Sequence, residues 1–362
     1  MSTGPLQNTK ILEFEGLGPA PFCAMVLAGL GADILRIARS GQRARSETGD
    51  AIILRGRPSV AANLKNPADL LQIQALIQAA DVLIEGYRPG VMERLGLGPE
   101  TCLAANKRLV YARMTGWGQT GPLAPRAGHD INYISLTGAL HAMGKPGEPP
   151  PVPLNLVGDY GGGAMFLATG ILAALLHARA TGQGQVVDAA MTDGTATLMS
   201  LFQAMSQAGA WTETRHANLL DGGAPFYRCY ACADGGFVAV GAIEPQFFAI
   251  LVRVMGIDFP PENQYNRSTW PDLTARLEQT FLEKPRDAWA EIFAPEDACV
   301  TPVLTLAEAP KHPHNVARDT YVTTNGFTQP APAPRFSNSM PPPPASAAPL
   351  TLDAAIARWQ NA

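Results

Sequence analysis

The feature that most constrains this chain is an alternation near its start. Short apolar runs at residues 10–14, 34–37, 59–64, 82–84 and 109–113 read as strands, and the segments 21–30, 66–80 and 99–107 between them carry helix-like spacing. Asn66 followed by Pro67 marks one helix start, because the Asn side chain can cap free backbone N–H groups and Pro suits the first helical position. Strand–helix–strand repetition demands parallel strands, since a parallel neighbour is reached only by a long crossover and crossovers are usually helical. The expected fold class is therefore α/β, with a Rossmann-like large domain whose mostly parallel sheet is covered by helices on both faces. In open sheets of this kind ligands bind beyond the carboxyl ends of the strands. That places Arg39, the stretch from Ala62 to Lys65 and the turn from Gly86 to Arg88 along one ligand edge.

With 362 residues the chain exceeds the size at which one hydrophobic core usually keeps growing. After a Pro/Gly-rich connection at 145–153, the run 164–179 reads as an apolar helix, 185–189 as a strand and 192–209 as a long helix. The character changes at 221, where tyrosines, paired glycines and the alternating segment 237–240 suggest a small antiparallel element, followed by helices at 244–255 and 270–281. Prolines crowd the chain from 328, including Pro341–Pro344, before a last helix at 352–360. The division predicted is a large domain over 1–188 completed by 332–362, a linker helix at 189–220, a smaller α+β domain over 221–316 and a return linker at 317–331.

The net charge of −4 gives no global field for nucleic acid or an anionic membrane. Locally the balance differs: from Arg36 to Arg94, nine basic side chains (Arg36, Arg39, Arg43, Arg45, Arg55, Arg57, Lys65, Arg88 and Arg94) face six acidic ones, a net of +3. Such a window is either a solvated basic face or an anion site. The five cysteines are scattered, and Cys229 with Cys232 forms a single Cys-x-x-Cys with no second pair to complete a zinc site. The first ten residues have no basic signal-like region and the chain ends Gln360-Asn361-Ala362, so a cytoplasmic location is expected. Gly16-Leu17-Gly18 follows the first strand as a dinucleotide fingerprint would. Pro21 stands at its third glycine position, however, and Arg36 and Arg39 stand where a ribose-binding acid belongs, which makes NAD the weaker ligand.

Two segments carry chemistry: Gly128-His129-Asp130-Ile131-Asn132-Tyr133 and Asn155-Leu156-Val157-Gly158-Asp159-Tyr160-Gly161-Gly162-Gly163. Asp159 precedes an apolar helix, where an aspartate ordinarily caps free N–H groups, and those same groups can hold an oxyanion. The glycines after it allow close approach of another chain or a ligand. His129 alone is ordinarily a hydrogen-bonded structural histidine, although its polar neighbours and ordinary pKa of about 6.5 suit a proton acceptor.

Over nearly its whole length the chain resembles the α-methylacyl-CoA racemases of the family III CoA-transferase superfamily, most closely the bacterial enzymes. The matching stretches are Val82-Leu83-Ile84-Glu85-Gly86-Tyr87-Arg88-Pro89-Gly90-Val91, the run from Tyr111 to Pro122 containing Trp117-Gly118-Gln119-Thr120-Gly121-Pro122, the two segments above, and Gly241-Ala242-Ile243-Glu244-Pro245-Gln246-Phe247. The resemblance implies an isomerase that needs no metal or organic cofactor. His129 and Asp159 would serve opposite faces of the α-carbon of a 2-methylacyl-CoA, Glu244 would orient His129, and the enolate oxygen would sit near the backbone amide at Asp159. It implies CoA contacts from Arg39, Ala62, Asn63, Leu64, Lys65, Gly86, Tyr87, Arg88, Arg94, Gly128, His129, Asp130, Ile131, Asn132 and Tyr133, and an acyl chain lying on methionines such as Met191, Met199 and Met205. It also implies an interlocked homodimer. The alternatives are a family III CoA-transferase with Asp159 as nucleophile, against which the histidine and Ala242-Ile243-Glu244 both speak, and an inactive CoA-binding scaffold.

Overall fold

The computed structural model describes residues 4–40, 50–324, 326–339 and 345–360, so Arg43, Arg45 and the tract Pro341–Pro344 lie outside the described residues. The chain forms two compact units. One comprises Met1–Ala139, Val152–Ser200 and Pro313–Ala362, and the other Leu140–Pro151 and Leu201–His312.

The first unit is built on six strands, β1 (Lys10–Phe14), β2 (Asp33–Arg39), β3 (Ser59–Ala62), β4 (Val82–Glu85), β5 (Val110–Thr115) and β6 (Gln185–Ala190). All pair in parallel, in the order β3-β2-β1-β4-β5-β6. The inner strands β1, β2, β4 and β5 are largely apolar because both of their faces are covered, whereas the edge strand β6 is exposed over most of its length. Ile11, Ile34, Val82 and Ala112 enter one core cluster, while their neighbours Leu12, Leu35, Leu83 and Tyr111 enter the other, which is the two-residue period of a sheet buried on both sides. The mostly parallel α/β sheet read from the alternation is thus what the chain forms. Its order reverses between β1 and β4, and the crevice at such a switch point is where open sheets take their ligands.

The crossovers carry α1 (Pro19–Gly29), α2 (Asp50–Ile53), α3 (Pro67–Ala79), α4 (Val91–Arg94) and α5 (Pro99–Ala105). Asn66 caps α3 as its residue type suggests, its side chain accepting the Ala68 N–H at 3.1 Å with Pro67 next to it. After β5 come α6 (Asp130–Ser135), a π-helix over Leu156–Ala164 and α7 (Met165–Thr181). The run Leu156–Thr181 is long and apolar enough to cross a membrane, and half of its apolar window is buried in the fold.

Behind β6 the chain does not form one long helix. It breaks at Met199 into α8 (Met191–Leu198) and α9 (Ser200–Gln207), where the hydroxyls of Thr197 and Ser200 donate to the carbonyls of Asp193 and Thr197.

In the second unit, β7 (Tyr227–Ala231), β8 (Phe237–Gly241) and β9 (Val300–Pro302) form an antiparallel sheet. Helices α10 (Pro245–Val254), α11 (Trp270–Phe281) and α12 (Arg286–Phe293) bury Phe248, Trp270, Phe281 and Trp289 against Phe226 and Tyr230. The chain then returns to the first unit through α13 (Pro313–Ala317), the hairpin of β10 (Tyr321–Thr324) with β11 (Phe327–Pro330), and α14 (Leu352–Gln360). The stretch 317–331 therefore contains a hairpin, with Arg55 donating to Gln329 Oε1 at 2.9 Å. Leu350 bridges Val60 of β3, and Trp359 lies buried in the core against α3.

Candidate active site

Two adjoining clefts open at the carboxyl ends of the parallel strands. The first, of about 540 Å³, is lined by Arg39 beyond β2, by Ala62, Asn63, Leu64 and Lys65 beyond β3, and by Tyr87 and Arg94. Its turn after β3 is pinned from within: Asn63 N–H donates to Asp69 Oδ2 at 2.7 Å, and Lys65 N–H to Asn63 Oδ1 at 3.1 Å. The Arg39 N–H donates to Glu15 Oε2 at 2.8 Å. Arg39, Lys65 and Arg94 are exposed, an arrangement suited to phosphate, which guanidinium groups bind in bidentate fashion.

Three members of the basic window play a different part. Arg57 is buried in an ion pair with Glu13 at 2.6 Å, Arg36 pairs with Glu15 at 3.1 Å, and Arg55 donates to Gln329 and to the Pro330 carbonyl. Their charge neutralises carboxylates and satisfies carbonyls within the fold, so the window is part scaffold and part ligand edge.

The second cleft, of about 400 Å³, lies at the switch point. Its walls are the β1–α1 turn (Leu17 to Ala20), the Gly86–Tyr87–Arg88 turn beyond β4, Thr115 to Trp117 beyond β5, and His129, Tyr133, Asp159 and Met191. Tyr87 lines both clefts. The Tyr87 N–H donates to Glu85 Oε2 at 2.7 Å, while Glu85 Oε1 and Glu93 Oε1 each accept from Arg113 at 2.8 Å. Glu85 and Arg113 are buried, and with the exposed Glu93 they fix the turn that both clefts share.

His129 stands at the start of α6, exposed, with its N–H donating to Asn132 Oδ1 at 3.0 Å. Behind it Tyr133 donates to the Gly128 carbonyl and packs edge-on against Trp117 with ring centres 4.7 Å apart. Gly116 leaves room for that ring, since a Cβ there would lie 2.0 Å from it. Asp159 lies inside the π-helix, half-buried. Its Oδ2 accepts from Asn155 Nδ2 at 3.2 Å. Gly18, at φ +69°, approaches so closely that a Cβ there would stand 2.7 Å from the same oxygen. Burial pushes the Asp159 carboxyl above the usual carboxylate range. The Asn155 hydrogen bond and the His129 charge oppose that shift and the Asp130 charge adds to it. The cleft thus holds an imidazole beside a carboxyl that keeps its proton more readily than a surface aspartate.

The surroundings of Asp159 differ from the sequence reading. It is within a helix rather than ahead of one, and its N–H is not free: it donates to Asp130 Oδ2 at 2.6 Å. That amide is therefore already engaged and is not an open donor for an enolate oxygen. The glycines after it are explained by α8. A Cβ on Gly162 would lie 2.4 Å from Thr195 Oγ1, one on Gly163 would lie 2.8 Å from Met191 Cγ, and one on Gly194 would lie 1.8 Å from the Gly162 carbonyl oxygen.

Of the segment from Gly128 to Tyr133, the residues Gly128, His129 and Tyr133 line the cleft, whereas Asp130, Ile131 and Asn132 line neither cleft. Asp130 turns into the protein and Asn132 bonds the His129 backbone. Glu244 stands at the N-terminus of α10 in the second unit. Met191 and Met114 line the second cleft, and Met199 and Met205 do not. Cys229 and Cys232 are free thiols, and no group of three or more metal-ligating side chains occurs among the described residues. Sequence reasoning passed over Gly18, Trp117, Arg126 and Asn155. Gly18 was visible only as part of a failed nucleotide fingerprint, and Trp117 and Asn155 lay within segments already singled out.

The sequence and fold have known counterparts. The model of CoA-transferase family III matches residues 6–352. The chain is 44% identical over 336 residues to a Mus musculus protein named alpha-methylacyl-CoA racemase, covering 92% of this chain and 87% of that one. With the Homo sapiens protein of the same name it shares 45% over 338 residues, with the same coverage. The crystal structure of a CAIB/BAIF family protein from Brucella suis superposes with a TM-score of 0.82, at 24% identity, over 99% of this chain and all of that one. The chain belongs to CoA-transferase family III.

Proposed function

We propose that the protein is an isomerase that interconverts (2R)- and (2S)-2-methylacyl-CoA thioesters by moving the α-proton from one face of the carbon to the other. The observation that carries this reading is the pairing of His129 with the half-buried Asp159 in one cleft at the switch point. The identity with two proteins named for this reaction supports it.

The chemistry follows from the thioester. Its carbonyl acidifies the neighbouring C–H, and one base takes that proton while the C–H electron pair moves into a C–C double bond and charge collects on the thioester oxygen. The enolate is planar, so a proton delivered from the opposite face inverts the centre. For one epimer the Asp159 carboxylate accepts and the His129 imidazolium donates, and for the other neutral His129 accepts and protonated Asp159 donates. Both residues must hold and release protons near neutral pH. A buried carboxyl with raised proton affinity is suited to that task in a way a surface aspartate is not. The enolate oxygen must find its donor elsewhere than at the Asp159 amide, which Asp130 occupies.

In the same reading the CoA diphosphate and adenosine lie along the first cleft, held by Arg39, Lys65 and Arg94, with Ala62 to Leu64 and Tyr87 beside them, and Gly86 and Arg88 lead to the second. Met114 and Met191 give the acyl chain a soft apolar wall. Glu244 orients His129, no metal or organic cofactor takes part, and the enzyme works as an interlocked homodimer in the cytoplasm.

A CoA-transferase reading would make Asp159 a nucleophile that forms an acyl-aspartyl anhydride and releases CoA thiolate. An assay with one 2-methylacyl-CoA epimer, a free carboxylate acceptor and hydroxylamine separates the two. The isomerase loses optical activity from its thioester pool, leaves the acceptor unthioesterified and stays active in hydroxylamine. CoA transfer with hydroxylamine inactivation would establish the transferase instead.

A further inference from the structure

Asp130 belongs to the segment that resemblance assigns to CoA, yet its side chain faces neither cleft. It is 6% exposed. One carboxyl oxygen, Oδ2, takes the Asp159 N–H at 2.6 Å, and Oδ1 is buried and bonded to no group among the described residues. A buried carboxylate with an unpaired oxygen is unfavourable for folding, so the fold bears a cost to keep it. The backbone is shaped around it as well: Gly158 is buried, and a Cβ there would lie 2.7 Å from Asp130 Oδ2 and 3.0 Å from Ile134 Cγ2. Asp130 also follows His129 directly in the chain. A single residue therefore joins the turn that carries one proposed base to the peptide that carries the other.

We propose that Asp130 is a positioning residue for the α-proton transfer: its carboxylate clamps the Asp159 peptide from the turn that carries His129, and its charge acts on the Asp159 carboxyl. This rests on the isomerase reading above and adds to it. The charges that act on Asp159 are those of Asp130, which raises its proton affinity, and His129, which lowers it, while Asn155 bonds it from its own helix. Tyr133, one turn along α6, is itself held in its protonated form by burial and by Asp159. The other helices packed on the π-helix meet it through Pro19 and Phe22 of α1 and Met191 and Thr195 of α8, none of which titrates. Asp130 is thus the negative charge that opposes ionisation of Asp159.

The test compares Asp130→Asn and Asp130→Ala with the parent chain, measuring kcat/KM for racemisation of a 2-methylacyl-CoA against pH. In Asp130→Asn the side-chain carbonyl can still accept the Asp159 N–H, but the charge is gone. The acid limb of the profile therefore moves to lower pH, and it does so for both epimers, because the productive form for either one carries a single proton on the two bases together. In Asp130→Ala the clamp itself is lost, and kcat falls by about tenfold or more while KM changes by less than about twofold. An Asp130→Asn profile that superimposes on the parent's overturns the proposal. So does a rise in KM with kcat unchanged in Asp130→Ala, which would mark Asp130 as a substrate contact. If Asp130→Ala does not fold, the Asp130→Asn profile decides. A parent chain that racemises neither epimer overturns the isomerase reading and this role with it. A racemising parent beside an unshifted Asp130→Asn overturns this role alone.

Discussion

Asp159 is costly to the fold in proportion to its fitness for the reaction. Burial raises its proton affinity above that of the unfolded chain, so its contribution to stability is fully present below the ordinary carboxylate range and is lost as pH rises through the folded-state value. Asp159→Asn removes that loss. At pH 7 this variant melts higher than the parent, and below the ordinary carboxylate range, where the parent is protonated too, the difference disappears in thermal scans. Its racemase activity falls by at least about 100-fold, the scale expected when a positioned acid–base group is removed. His129 and Asp159 were legible as residues because each sat among polar and glycine neighbours. The direction in which Asp130 turns was not, since adjacent residues at a helix start point different ways and only tertiary packing decides which faces a ligand. Gly18 is a similar case: its positive φ and its contact with Asp159 both require glycine, yet in the sequence it read as a poor nucleotide motif.

Among the elements, the strands of the parallel sheet were the most legible, because burial on both faces leaves an apolar run that little else can explain. The π-helix before α7 was not. Leu156–Ala164 contains four glycines, a composition that argues for a loop, and what makes it helical is the close approach of α8 rather than any local preference. Gly162 is the tightest point of that contact on the π-helix. A methyl group there would press on both the Thr195 hydroxyl and the Thr195 amide nitrogen, 2.7 Å away, with little freedom to give. Gly162→Ala should therefore lower the unfolding free energy by about 2 kcal/mol, within the range for overpacked sites. It should also lower activity, since the displaced turn is the one that presents Asp159. Denaturant unfolding beside a racemisation assay checks both. An unchanged midpoint would show that α8 yields easily.

At the level of the whole molecule, the chain leaves its first unit to build the second and returns to finish the first. Residues 352–360 were expected as a helix that completes the large domain, but the side chains that hold it there were not legible, because nothing local says which residues a terminal helix will meet. In the structure Trp359 is buried in the core, its Nε1 donates to Asp33 Oδ2 at 3.0 Å, and Arg358 pairs with Asp33 at 2.7 Å. Trp359→Ala should cost about 3 kcal/mol, the low end for a deleted core aromatic, and this would be read as a lower denaturation midpoint of the first unit. The first cleft depends on that closure, since β2, which Asp33 begins, ends at Arg39 in its wall. One cleft is proposed to exchange the α-proton of either epimer. This exchange is tested most directly by incubating separate 2R- and 2S-methylacyl-CoA samples with the enzyme in heavy water and following α-deuterium by mass alongside the epimer ratio. Both samples should gain one deuterium at the α-carbon and converge on a near-equal mixture. Retention of the α-proton and of the starting configuration in either sample would contradict the exchange.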